Sequence, residues 1–151
     1  MMFVGVDCSS LAIHAVILNN KEELVSLHKW GSAEKEFIYR FPEILVGFYH
    51  EFSRIKEVHF AAVEAAIFIQ NPKTTIAIAN VIGAVWAFLL SLKIGVTIID
   101  NRQWKKAVLG KGNASKEDIK QFAIEKWGEK FPEQDYADAA CIALWCKRRI
   151  F

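Results

Sequence analysis

The chain reads as an α/β protein, a five-stranded mixed sheet flanked by helices, and three features point there. Its opening third holds three short runs rich in Val, Ile and Leu, parted by turn residues, as in a meander. Strand-like and helix-period segments then alternate, the pattern of crossover units. With 151 residues, 53% hydrophobic and 24% charged, the chain suits one well-filled core better than two, so a single domain over 1–151 is expected.

The elements follow in order. "MFVGVD" is a short buried strand ending at Asp7, "LAIHAVILNN" a second strand closed by an Asn-Asn turn, and "EELVSLHKW" a third. From Glu34 to about Ile55, Phe37, Ile38, Phe41, Ile44, Leu45, Phe48 and Phe52 recur at three and four, which is one stripe of a helix. Pro42 is expected to interrupt or kink it.

"VHFAAVEAA" is apolar on both faces, so it is a central strand, and it carries Glu64 to its end. "NPKTT" offers an Asn cap and a first-turn Pro to a long apolar segment, Ile76 to Leu92. That length borders on a membrane span, but Asn80 and the soluble α/β pattern around it weigh against one. A helix so apolar all round calls for burial on more than one side, in the core or against a second subunit. "IGVTIID" makes a fifth strand. Ser115 with Asp118 three residues on then marks a capping box, and a last helix runs from about Glu133 to Arg149.

Charge is unevenly spread: the chain is +2 overall, yet Lys and Arg exceed Asp and Glu only from residue 101 onward. A basic second half suits an anionic partner, although a solvated helix face produces the same count. The three cysteines have no CxxC spacing, which argues against a disulfide framework or a zinc site. No secretory leader is read at the start, so a cytoplasmic setting is expected, that of a bacterial host cell for a viral member.

Four acids stand out. Asp7 and Glu64 end strands that, if parallel and adjacent, deliver both to one sheet edge, where α/β proteins gather ligand groups. Asp135 and Asp138 lie one helical turn apart, on one face, among small apolar residues. Read singly, Asp7 is equally a turn former and Asp135 a helix cap. Glu64 and Asp138 resist such readings, because a charge in "AAVEAAIF" or "YADAACIA" is costly to bury. Acids converging in this way repel one another unless a cation joins them, and hard oxygen donors suit magnesium or manganese. Two such ions about 3.5–4 Å apart support phosphodiester hydrolysis.

Arg102, Lys105, Lys106, Lys111, Lys116 and Lys120 crowd into one stretch with Gly110 and Gly112. Glycines let backbone approach a phosphate, and a helix start presents free N–H groups to it. On a nucleic acid, such contacts would read backbone geometry rather than base identity. The four histidines, His14, His28, His50 and His59, show no ligand spacing and are read as structural. Of the tryptophans, only Trp104, amid basic residues, is a candidate to meet DNA.

"VGVDCSS", "VEAAIFIQNPKTTIAIANVIGAV", "QWKKAVLGKGNASKEDI" and "DYADAACIAL" resemble, in order and spacing, the RuvC family of Holliday junction resolvases within the ribonuclease H-like superfamily. The resemblance implies a ribonuclease H-like fold and a homodimeric endonuclease, with no membrane role, that nicks opposed strands of four-way DNA junctions using two Mg²⁺ or Mn²⁺ ions. It implies metal binding and catalysis by Asp7, Glu64, Asp135 and Asp138. Lys106 and Lys116 would face DNA near the scissile phosphate, Lys116 assisting catalysis, with Arg102, Lys105 and Lys111 as further DNA contacts. The long helix after Asn71 would make the subunit contact. Where the family commonly has an aromatic three residues beyond the strand-end Glu, this chain has Ile67, followed by Phe68; Phe68 is expected to contact DNA, and which of the two meets the junction centre stays open. The short stretch after the last helix resembles compact viral or organellar members, which also suit flaps and forks.

Overall fold

The computed structural model describes residues 1–67 and 70–150. Five strands and five helices follow in the order β1 (Met2–Cys8), β2 (Ala12–Asn19), β3 (Leu24–Gly31), α1 (Phe37–Phe52), β4 (Val58–Glu64), α2 (Pro72–Ser91), β5 (Gly95–Ile99), α3 (Asn101–Leu109), α4 (Lys116–Trp127) and α5 (Gln134–Ile150). The sheet order is β3-β2-β1-β4-β5. β1, β2 and β3 pair antiparallel as the expected meander, while β4 and β5 run parallel to β1.

Strand alternation divides the interior in two. Phe3, Val16, Leu18 and Ala62 face α3, α4 and α5, whereas Val4, Val6, Ile13, Ala15 and Val63 face α1 and α2. Both faces of the central strands are therefore apolar, and Asp7, in step with Phe3, belongs to the α5 side.

How closely α5 sits on the sheet is set by one residue. A Cβ on Gly5 would stand 1.9 Å from the Ala139 carbonyl oxygen and 2.3 Å from the Ala143 amide nitrogen, so only glycine admits the helix here. The facing helix positions are small as well, with Ala139, Ala140 and Ala143 fully buried.

Local signals behave as their chemistry predicts. The Asn19 side-chain oxygen accepts from the amides of Lys21 and Glu23, closing the β2–β3 turn. Asn71 caps α2 by accepting from the Lys73 amide, and Ser115 and Asp118 form the complete capping box of α4. The tip of the hairpin is tied down by Glu22, whose carboxylate meets Lys126, Lys147 and Arg148 at 2.5, 3.5 and 3.1 Å. Its backbone carbonyl also accepts from the Trp127 indole.

Three of the helices are defined further by the structure. α1 runs through Pro42 rather than ending there; the carbonyl that loses its amide partner belongs to Ile38, an exposed residue at the wet end of the helix. The basic stretch after β5 opens with a helix of its own, since Asp100 caps α3 by accepting from the Arg102 amide and Gly110, at φ 87°, ends it. α2 is not buried on several sides within this chain. It packs Ala77, Val81, Val85 and Leu89 inward against α1 and the sheet, and leaves Ile76 61%, Trp86 44% and Leu90 52% exposed. α2 is also the one described helix long and apolar enough to cross a membrane.

Candidate metal centre

Parallel pairing of β1 with β4 sets Val6 beside Val63, so the next residues, Asp7 and Glu64, leave adjacent strands at the same sheet edge. The close approach of α5 over Gly5 lays the first turns of that helix across this edge. Asp7, Asp135 and Asp138 each offer a carboxylate oxygen within 4.8 Å of the others. Residues some 130 positions apart in the chain thus meet at one point.

Glu64 reaches the same electrostatic neighbourhood but is held by other partners. Its two oxygens accept from Asn101 Nδ2 at 2.8 Å and Trp104 Nε1 at 2.9 Å. Trp104 is completely buried, so it does not meet DNA as its basic surroundings suggested; α3 is amphipathic, and its indole faces inward to orient a carboxylate. Asp138 Oδ1 accepts from Gln134 Nε2 at 3.1 Å.

Asp7 and Asp138 resist ionisation. Burial, followed by the charges of Glu64, Asp138 and Asp135, pushes the Asp7 carboxyl well above the usual aspartate range. Asp138 is raised to about 6, chiefly by burial, with Glu64 and Asp135 adding to it and the Gln134 hydrogen bond, then Lys105, opposing. A divalent cation bound among the oxygens removes that repulsion, and the donor set, all carboxylate and partly buried, fits a hard ion.

A second group adjoins the first. His14, the cross-strand partner of Asp7, is only 2% exposed; its Nε2 lies 2.8 Å from Glu133 Oε2 and its Nδ1 3.7 Å from Asp135 Oδ2. Lys29 completes the chain with Nζ 2.7 Å from Glu133 Oε1. His14, Glu133 and Asp135 satisfy the same spacing as the carboxylates. The sequence reading missed His14 because histidine spacing along a chain says nothing about cross-strand neighbours. The signal was a lone polar ring in "LAIHAVIL", opposite Asp7 once the tight turn is counted.

The basic residues divide. Arg102 and Lys106 are exposed on α3, and Lys105 lies near enough to influence Asp138. Lys116 is exposed at the start of α4 and, with Lys120, Phe131 and Gln134, lines a groove of about 610 Å³ that runs up to the first residues of α5. Lys111 is engaged instead, with Nζ 2.9 Å from Asp118 of the capping box. Phe68 lies outside the described residues, while Ile67 is exposed.

Comparison with known proteins agrees with this geometry. The family model described as crossover junction endodeoxyribonuclease RuvC matches residues 4–146. A relative so named from Acinetobacter baylyi is 30% identical over 148 residues, covering 95% of this chain and 81% of its own length. One from Neisseria meningitidis is 36% identical over 85 residues, covering 56% of this chain; the match spans about half, 48%, of that relative. Among solved structures, Thermus thermophilus RuvC in complex with a Holliday junction substrate superposes with a TM-score of 0.80 at 21% identity, over 96% of this chain and 92% of the other, which establishes the shared fold.

Proposed function

The chain belongs to the RuvC family of crossover junction endodeoxyribonucleases, and from that premise we propose that residues 1–151 form a single metal-dependent endonuclease domain resolving Holliday junctions. The observation that carries this reading is the convergence of Asp7, Asp135 and Asp138 at the sheet edge, beside Glu64. These four residues would hold the metal, proposed to be two Mg²⁺ ions, with Mn²⁺ an alternative. When bound, the ions supply an activated water and charge neutralisation at the leaving oxygen.

The remaining work falls to the chain's own side chains. Asn101 and Trp104 keep both oxygens of Glu64 in place, and Gln134 does so for one oxygen of Asp138. Lys116, with Arg102, Lys105 and Lys106, is proposed to hold DNA phosphates, Lys116 nearest the scissile one; Lys111 contributes once DNA competes with Asp118. Such binding falls steeply with salt.

Symmetric nicking of opposed strands needs two sites in fixed relation, which a homodimer provides. The apolar outer face of α2, with Ile76, Trp86 and Leu90, supports a subunit contact, since contiguous exposed apolar surface of this kind is rarely left to water. The packing of α2 on α1 and the sheet is that of a helix belonging to this domain rather than of a membrane span, and a cytoplasmic setting is proposed with it.

A second reading, a broader structure-selective nuclease acting on flaps and forks, draws on the exposed aliphatic Ile67 at the position where the family commonly places an aromatic. End-labelled four-way junctions, flaps, forks and duplex, incubated with Mg²⁺ or Mn²⁺, separate the two. Paired symmetric nicks on junctions, absent in Asp7→Asn that still binds, are expected. Equal or better cutting of flaps transfers the assignment to the second reading, and binding without cutting overturns both.

A further inference from the structure

His14 is not accounted for by the four acids. Its Nε2 is committed to Glu133 Oε2 at 2.8 Å, and Glu133 is itself anchored by Lys29 at 2.7 Å. With Lys29 donating to one oxygen of Glu133 and His14 at the other, the carboxylate serves as the acceptor of the imidazole N–H. An imidazole donating from Nε2 keeps its lone pair on Nδ1. That atom points toward Asp135 Oδ2 at 3.7 Å, beyond hydrogen-bonding range, in a ring that is 2% exposed.

Two electron-rich atoms facing each other, one on the buried His14 ring and one on the half-exposed Asp135, call for a positive centre between them. Two ligands about 2.1 Å from one divalent ion stand roughly 3 to 4.2 Å apart, depending on whether they are adjacent or opposed, and the Nδ1–Oδ2 separation falls inside that span. The outer partner is also of the right kind, because a metal-bound histidine typically donates its second N–H to a carboxylate that fixes tautomer and ring orientation. Glu133 and Lys29 provide this, and the Tyr136 ring, edge-on to His14 at 4.9 Å between centroids, limits its rotation. Asp135 is the member common to the His14 group and the Asp7–Asp138 group.

We propose that His14 Nδ1 is a further metal ligand of this site, sharing an ion with Asp135, with Glu133 as its positioning residue. The inference rests on the metal-centre reading above and extends it to specificity: a nitrogen donor favours manganese and similar transition ions over magnesium. The strand pairing places it there, since His14 sits directly across from Asp7 on the α5 side of the sheet.

The test is pulsed electron paramagnetic resonance of Mn²⁺ bound to the intact chain, paired with calorimetric Mn²⁺ and Mg²⁺ titrations. Directly coordinated nitrogen modulates the Mn²⁺ echo, and that modulation is expected to change when the protein carries ¹⁵N-histidine and to vanish in His14→Gln. In His14→Gln and in Glu133→Gln, Mn²⁺ affinity should fall about tenfold or more and Mg²⁺ affinity by less, so the Mn²⁺/Mg²⁺ preference drops. The wild-type spectrum decides the matter even where a variant folds poorly. Stoichiometric Mn²⁺ without nitrogen modulation, as an imidazolium clasped between Glu133 and Asp135 would produce, overturns the His14 assignment and leaves the carboxylate site standing. Failure of the wild-type chain to bind Mn²⁺ stoichiometrically overturns both.

Discussion

Gly5→Ala puts the link between helix packing and the metal centre under direct load. The new methyl would stand 1.9 Å from the Ala139 carbonyl oxygen, and both close neighbours are α5 backbone atoms that cannot rotate away. Restoring an ordinary contact of about 3.4 Å requires α5 and β1 to separate by about 1.5 Å. Overpacking of this sort costs about 1–3 kcal/mol, and the shifted helix carries Asp135 and Asp138 away from Asp7. Since a misplacement of about 1 Å lowers turnover roughly 100-fold, junction cutting should fall by at least that factor even in the folded fraction. Urea unfolding monitored by tryptophan fluorescence, Mn²⁺ titration and junction cleavage on the same preparation separate lost fold from lost site. A variant with wild-type unfolding midpoint, Mn²⁺ affinity and cleavage would refute the claim that contact at Gly5 sets the carboxylate geometry.

The remaining predictions concern charge and support. In the metal-free chain, Asp7 and Asp138 hold their protons more tightly folded than unfolded; their contribution is fully present below the ordinary aspartate value of 3.8 and is lost as pH rises through about 6 for Asp138. The melting temperature without metal should therefore drop over that window, Asp138 alone accounting for about 3 kcal/mol, and saturating Mg²⁺ should flatten the profile. Asp7→Asn should raise the metal-free melting temperature at pH 7 by a few degrees while abolishing cleavage; a lowered value would contradict the repulsion read from the site. Glu22 has the opposite sign. Desolvation pushes its carboxyl up, but hydrogen bonds and charge from Arg148 and Lys126 outweigh that and hold it at about 2, so its contribution is present above its ordinary 4.5 and lost as pH falls through about 2. Glu22→Gln should cost about 1 kcal/mol at neutral pH after allowing for solvent screening, with part of that loss already seen in wild type at high salt, by urea titration. Trp104→Phe leaves Glu64 Oε2 without its indole donor; stability should fall by about 1–2 kcal/mol and Mn²⁺ affinity about tenfold, and unchanged affinity would show that Glu64 needs no such orientation.

Much of this molecule was legible in the chain. Runs such as "MFVGVD" and "VHFAAVEAA" and the caps at Asn71 and Ser115 are local signals, decided by alternation and by hydrogen bonds within a few residues. Asp135 and Asp138 share a face because helical periodicity alone requires it. α3 was not marked out because its cap, Asp100, was read as the tail of a strand and its lysines as part of one basic stretch. The same surroundings made Trp104 look exposed, since a charged neighbourhood in sequence does not say which side of a helix faces in.

By itself, then, the sequence determined the α/β class, the order of elements and a set of acids too costly to bury without purpose. Tertiary structure alone decided which atoms meet. Parallel pairing of β1 with β4 set Asp7 beside Glu64, the missing side chain of Gly5 let α5 descend far enough to add Asp135 and Asp138, and antiparallel register put His14 across from Asp7. Local propensities act over three or four residues, whereas a site built from positions 7, 14, 64, 135 and 138 exists only after strand register and helix–sheet distance are set by packing of the whole chain.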